Sequence, residues 1–180
     1  MLNLKNVTLL SVNCVNPMDS AKALLYSSKN IIFKEAILIT DQHCNVGGVR
    51  TINIDKLDTI NAYSNFMLRL NDYINTDYVL IVQDDGFVTS PANWNDEFLS
   101  YDYIGANWPA EQSWTERQTA SQYMTGNWNR VGNGGFSLRS RKFLEMSSKF
   151  TSCEGYGEDN FLCLVEEPYM LSKGIRYAPV

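Results

Sequence analysis

Two adjacent carboxylates, Asp84 and Asp85, follow the apolar run 78–82 (YVLIV) through a single glutamine, Gln83, with Gly86 behind them. Neighbouring carboxylates repel, so two ionised side chains at one strand exit call for a compensating cation. Hard divalent ions such as Mg2+ or Mn2+ accept carboxylate oxygens and keep water and phosphate oxygens as their other ligands. Gly86 permits a sharp turn and the close approach of a ligand. The plain alternative is a solvated turn carrying two aspartates. A P-loop nucleotide site is excluded, because no GxxxxGK[ST] run occurs in the chain.

Two further segments carry chemistry. In 131–139 (VGNGGFSLR), Gly132, Gly134 and Gly135 crowd around Asn133. Asn133 and the backbone N–H groups of such a run can hold sugar hydroxyls or phosphate, and Arg139 and Arg141 can neutralise phosphate. A hairpin or bulge explains the same glycines. Downstream, Glu158 and Asp159 follow a glycine loop and open a helix. Acids are favoured there by the helix dipole, and a carboxylate within reach of a hydroxyl also serves as a general base.

The elements that must position these groups alternate through the first half. Residues 6–12 (NVTLLSV), 36–40 (AILIT), 49–54 and 78–82 read as strands. Asn16-Pro17 reads as a helix start, continuing to about residue 30. Asp58 or Thr59 caps a second helix, whose Ile60, Tyr63, Met67, Leu70 and Ile74 share one face. Buried strands separated by helices imply a parallel sheet covered on both faces, whose ligands sit outside the carboxyl ends of the strands. The second half predicts a short helix over 96–101, strands at 103–106 and 136–138, a helix capped by Ser140 and reaching residue 150, a helix over 158–165 and a strand-like 175–177. Residues 111–128 read as a loop over a site. The ending at Val180, just after that last strand-like run, suggests a longer natural protein.

Composition narrows the classes. With 44% hydrophobic residues the chain can build a core, so disorder is excluded. A net charge of −5 argues against a nucleic-acid partner. No apolar run reaches the roughly 18 residues of a transmembrane segment, and residues 1–10 are too short and polar for a signal peptide; both point to a cytoplasmic protein. Cys14, Cys44, Cys153 and Cys163 form no CxxC pair, which argues for free thiols rather than zinc or disulfides. His43 is the only histidine and no GxSxG segment accompanies it, so a hydrolase triad is excluded.

The segments VLIVQDDGFV (79–88), WNDEFLSYDYIGANW (94–108), VGNGGFSLRSRKFL (131–144) and GEDNFLC (157–163) resemble, in order, a family of bacterial and viral glycosyltransferases with a GT-A-like fold, long counted as a domain of unknown function. The resemblance implies an α/β fold of Rossmann type, with a mixed, mostly parallel sheet flanked by helices. It implies one domain over 1–180, with a nucleotide-sugar-binding half (1–90) and an acceptor-binding half (91–180). Asp84 and Asp85 then stand where a DxD-type motif holds Mn2+ or Mg2+ and the diphosphate, Asp85 being favoured for the ion. Asn13 and Asp41 would contact the nucleoside, and Asn133, Gly134 and Gly135 would line the sugar site. Trp108 would stack on a sugar face, and Asp159 would be the catalytic base with Glu158 beside it. The implied reaction moves a sugar from a nucleoside-diphosphate donor to a glycan or other hydroxyl acceptor, with inversion. The alternatives are a binding domain without turnover and a metal-dependent nucleotidyl- or phosphotransferase.

Overall fold

In the first strand, β1 (Leu2–Val12), every residue from Val7 to Val12 is buried, so helices must cover both of its faces. The computed structural model describes residues 1–108 and 130–179; the loop expected at 111–128 lies outside them. β1 lies inside a six-stranded sheet of order β3-β2-β1-β4-β6-β5. The other strands are β2 (Ile31–Thr40), β3 (Arg50–Asn53), β4 (Tyr78–Ile81), β5 (Tyr103–Trp108) and β6 (Arg130–Ser140). β3, β2, β1 and β4 run parallel, whereas β6 is antiparallel to both β4 and β5. This is the mixed, mostly parallel sheet that the sequence predicts.

The covering helices follow from the alternation along the strands. Leu9, Leu38, Leu80 and Leu138 face Ala21 and Leu24 of α1 (Pro17–Ser27). Leu10, Ile37, Val79 and Ile81 face the opposite way, onto Met67 of α2 (Ile60–Met67) and Leu144 of α3 (Arg141–Ser147). A third cluster joins Tyr103 and Phe143 to Phe161, Leu162 and Met170. α4 (Glu158–Asn160) runs directly into a π-helical turn, Phe161–Val165, and α5 (Glu167–Ser172) follows. Among the described residues no helix is long and apolar enough to cross a membrane. All four cysteines are buried free thiols.

Several boundaries differ from the sequence reading for identifiable reasons. β1 and β2 start earlier than expected, at Leu2 and Ile31, because Leu2 and Leu4 pair with Ile31 and Phe33. Charged Lys34 and Glu35 hide that stretch from a search for apolar runs. Thr59 caps α2 by accepting from the Ala62 N–H at 3.0 Å. The apolar face continuing to Ile74 is then carried by a 3-10 turn, Leu70–Asp72, rather than by more α-helix. β6 is eleven residues long where three were expected, and the glycines lie within it. Residues 175–177 contribute one parallel bridge, Tyr103 to Tyr177. Ser140 caps α3 as expected, accepting from the Phe143 N–H.

Leu10→Ala removes a fully buried side chain from the central strand. We expect a loss of about 2–5 kcal/mol in urea unfolding. Ile60→Ala, at a 74% exposed position, is expected to stay within about 0.5 kcal/mol of the parent.

Candidate functional site

β1, β2 and β4 end on the same side of the sheet, and a polar cavity of about 460 Å3 opens there. Asn13 after β1, Asp58, Tyr63, and the trio Gln83, Asp84 and Asp85 after β4 contribute to its wall. The turn after β4 is closed by two backbone bonds, Gln83 N–H to the Gly86 carbonyl (2.9 Å) and Gly86 N–H to the Gln83 carbonyl (3.3 Å). It holds Asp84 and Asp85 exposed at its tip. A second cavity of the same volume lies between Leu4, Leu80, Leu138 and the 87–98 segment, on the α1-covered side of the sheet. Its lining is apolar almost throughout, whereas the first carries the candidate polar groups.

The register of β6 brings the other candidate groups to this end. β5 pairs Gly105 with Ser137 and the next residue, Ala106, with Asn133. Gly134, Gly135 and Phe136 therefore bulge out without partners on β5. Approach there is too close for a side chain: a Cβ on Gly135 would stand 2.4 Å from Gln83 Oε1, and one on Gly134 would stand 2.6 Å from Glu158 Oε1. Gln83 Nε2 in turn reaches the Tyr63 hydroxyl at 3.4 Å. The bulge thus joins the β4 turn on one flank to α4 on the other.

Asp159 sits on that second flank. Its Oδ2 accepts from the Gly134 N–H at 3.1 Å and its Oδ1 from the Asn160 N–H at 2.8 Å. Burial and the neighbouring Glu158 charge push its carboxyl up to about 6, against the pull of those two N–H groups and Arg139. A carboxylate that titrates near neutrality is suited to take a proton from a hydroxyl. The same two acids leave Cys153 pushed up to about 12, with burial the largest cause, so that thiol is not a nucleophile.

The remaining expected residues fall in different places. Asn13 is half-buried and occupied locally: its Oδ1 accepts from the Val15 and Asn16 N–H groups and its Nδ2 donates to Ser20 Oγ. Asn16 stands at the N-cap position of α1 as expected, but its side chain makes no cap bond. Asp41 follows β2 outside the wall of the polar cavity, with Oδ1 buried and without a hydrogen bond. Asn133 is exposed and its Oδ1 accepts from the Gly135 N–H. Trp108 is buried, with its ring against Gly132. Arg139 and Arg141 do not await phosphate. Arg139 is 1% exposed and bonded to Glu158 at 2.7 Å, and Arg141 is committed to Asn71 and the carbonyls of Ile74 and Thr76. Tyr63 is the wall residue that sequence reasoning assigned only to a helix face; nothing in the periodicity separates a core tyrosine from one whose hydroxyl reaches a site.

Among the described residues no three His, Cys, Asp or Glu side chains cluster as a metal site. Asp84 and Asp85 still fit a hard divalent ion of the kind completed by water and phosphate oxygens, because both are exposed at the cavity edge.

Residues 48–179 match the model of a family described as a protein of unknown function (DUF5672). No curated protein matches by sequence. Among solved structures, the galactosyltransferase LgtC in complex with donor and acceptor sugar analogs matches with a TM-score of 0.54 at 13% identity, over 88% of this chain and 71% of that one. The mannosyltransferase PcManGT from Pyrobaculum calidifontis, in complex with GDP-Man and Mn2+, matches with a TM-score of 0.53 at 12% identity, over 98% of this chain. This chain spans 55% of that enzyme's length. Identities this low show the fold, which is GT-A-like.

The raised Asp159 carboxyl links stability to pH. Between about pH 4 and 6 the native state keeps a proton that the unfolded chain has lost, so the parent loses stability as pH rises through that window. Asp159→Asn cannot ionise. Its stability relative to the parent should therefore improve by up to about 3 kcal/mol from pH 4 to pH 7, read from urea midpoints.

Proposed function

The chain belongs to the DUF5672 family, and we propose that it is a metal-dependent glycosyltransferase moving a sugar from a nucleoside diphosphate to an acceptor hydroxyl. One observation carries this reading. The exposed Asp84 and Asp85, and the Asp159 carboxyl, pushed up to about 6 by burial and Glu158, are linked at the same end of a GT-A-like sheet through the Gln83–Gly135 and Gly134–Asp159 contacts. The neighbouring folds belong to a galactosyltransferase solved with sugar analogs and a mannosyltransferase solved with GDP-Man and Mn2+.

In this reading residues 1–90 bind the donor and 91–180 the acceptor. The polar cavity takes the nucleoside diphosphate, with Asn13 at its nucleoside side and Asp41 beyond its wall, and Asn133, Gly134 and Gly135 bind the sugar next to Gln83. Trp108 supports that sugar wall from within through its contact with Gly132. Asp85, with Asp84, would hold Mn2+ or Mg2+, which when bound offsets the charge of a departing diphosphate. Asp159 accepts the acceptor hydroxyl proton while the acceptor oxygen bonds to the anomeric carbon. The bond from that carbon to the diphosphate oxygen breaks, and its electron pair leaves with the nucleoside diphosphate. Attack from the face opposite the leaving group inverts the anomeric centre.

The test begins with a thermal-shift panel of UDP- and GDP-sugars, with and without Mn2+, where a bound donor raises the melting temperature. Asp85→Asn is expected to abolish the Mn2+-dependent part of donor binding in calorimetry; unchanged affinity removes the metal role. Asp159→Asn is expected to bind donor normally and to release nucleoside diphosphate at least about 100-fold more slowly. Normal turnover in that variant removes Asp159 as base. Release of pyrophosphate or inorganic phosphate instead would mark a nucleotidyl- or phosphotransferase.

A further inference from the structure

Arg139 is among the largest fully buried side chains of the protein, and every hydrogen bond it makes serves the bulge beside Asp159. Its Nη2 donates to Glu158 Oε1 at 2.7 Å and to the Gly134 carbonyl at 3.3 Å, and its Nε donates to Ser137 Oγ at 3.0 Å. Ser137 Oγ donates to the same Gly134 carbonyl at 2.9 Å. The guanidinium also stands 5.4 Å from the centre of the Tyr103 ring, and the Tyr103 hydroxyl donates to the Gly132 carbonyl at 2.8 Å. Thus the Gly134 carbonyl is gripped by the cation and a hydroxyl, while the N–H of the same residue, in the preceding peptide unit, is aimed at Asp159 Oδ2. Glu158, next in chain to Asp159, is gripped by the same cation.

We propose that Arg139 and Glu158 are positioning residues, a buried clamp that fixes the Gly134 carbonyl and the backbone of α4 so that the Asp159 carboxylate is held against the glycine bulge of β6. This deepens the reading of Asp159 as base and rests on it. It takes Glu158 out of the chemistry, because its Oε1 is bonded to Arg139 and its side chain is 7% exposed. It also accounts for glycine at 134, where a Cβ would stand 2.6 Å from Glu158 Oε1 and 2.8 Å from Arg139 Nη2.

The two members of the clamp act on Asp159 with opposite sign. Glu158 raises its carboxyl and Arg139 lowers it. The other titratable groups that sense the same acids are Tyr63 on α2, Tyr103 on β5, Cys153, and Cys163 on the π-turn. All four are raised, with burial the largest cause, and so stay neutral across the pH range concerned. Burial works against the Arg139 charge, but its neighbours, Glu158 foremost, together hold the guanidinium above its ordinary range. Arg139 is therefore a fixed cation.

Carbon-13 NMR of the aspartate carboxyls tests the clamp without any substrate, with Asp159→Asn assigning the signal. The parent is expected to titrate near 6. Glu158→Gln preserves shape and is expected to lower that midpoint by at least about one pH unit, toward the ordinary carboxylate value of about 3.9. Arg139→Lys keeps the charge but loses the fork, so the Gly134 amide is expected to exchange with solvent at least about tenfold faster. A Glu158→Gln midpoint that stays or rises, or an unchanged Gly134 exchange rate in a folded Arg139→Lys protein, overturns the clamp. Nucleoside diphosphate release from UDP- and GDP-sugars with Mn2+ separates the two readings. Absence of release by the parent overturns Asp159 as base, and with it the positioning role, even if the midpoints move. Release whose acid limb does not move in Glu158→Gln overturns the clamp alone.

Discussion

The antiparallel pairing of β4 with β6 is the constraint on which the site depends. Leu80 stands against Leu138 and Ile81 against Ser137, so the chain leaves the carboxyl end of β4 towards the first half of β6. Were β6 parallel to its neighbours, its glycine-rich start would lie at the opposite end of the sheet from Asp84 and Asp85. The reversal puts the strand exit with its two carboxylates and the bulge with its exposed backbone at one place. β5 then pins the bulge by pairing on both sides of it, at Ser137 and at Asn133. The Gly134 carbonyl in the bulge and the Gly132 carbonyl just before it both accept bonds from buried donors. A rigid frame of this kind holds reacting groups to the tolerance that an oriented reaction requires.

The parts of this arrangement that were legible in the sequence are those written in apolar runs. Residues 78–82 are continuous, β-rich and followed by charge, so both the strand and the exposure of Asp84 and Asp85 could be read. The helix after Ser140 announced itself through that cap and the inward spacing of Phe143, Leu144 and Met146, although it ends at Ser147 and not at 150 as expected. β6 was largely hidden. Glycine weakens a strand reading, and three of them masked eleven residues of extended chain, although a bulge is one of the two things that such glycines signal. The break after Met67 was hidden for the opposite reason: the apolar spacing carries on through Leu70 and Ile74, and both are buried, yet a 3-10 turn serves the core as well as an α-helix does.

Charged residues were the least legible. From sequence alone Arg139 and Arg141 are two cations near a glycine run, and phosphate is the obvious partner. Only the fold shows that one is sealed against Glu158 and the other ties the entry of β4 through the carbonyls of Ile74 and Thr76. Trp108 is a similar case. An indole near a sugar site reads as a stacking platform, but its ring lies against Gly132 in the cluster around Tyr103 and Phe143. In each case the deciding quantity is burial, which depends on strand pairings dozens of residues away.

A buried arginine–glutamate pair is a poor device for stability, because desolvation of the two charges roughly cancels their attraction, and an apolar pair of the same volume often does better. Removing one partner alone is costly, about 3–5 kcal/mol, since the other is left charged in a dry place. The pair at Arg139 and Glu158 is therefore better explained by orientation than by energy. An apolar replacement could fill the space between β6 and α4, but it could not hold the Gly134 carbonyl, and the N–H of that residue would lose its aim at Asp159. The raised Asp159 carboxyl points the same way. Keeping it ionised at neutral pH works against folding, a cost consistent with the proposed proton-accepting role.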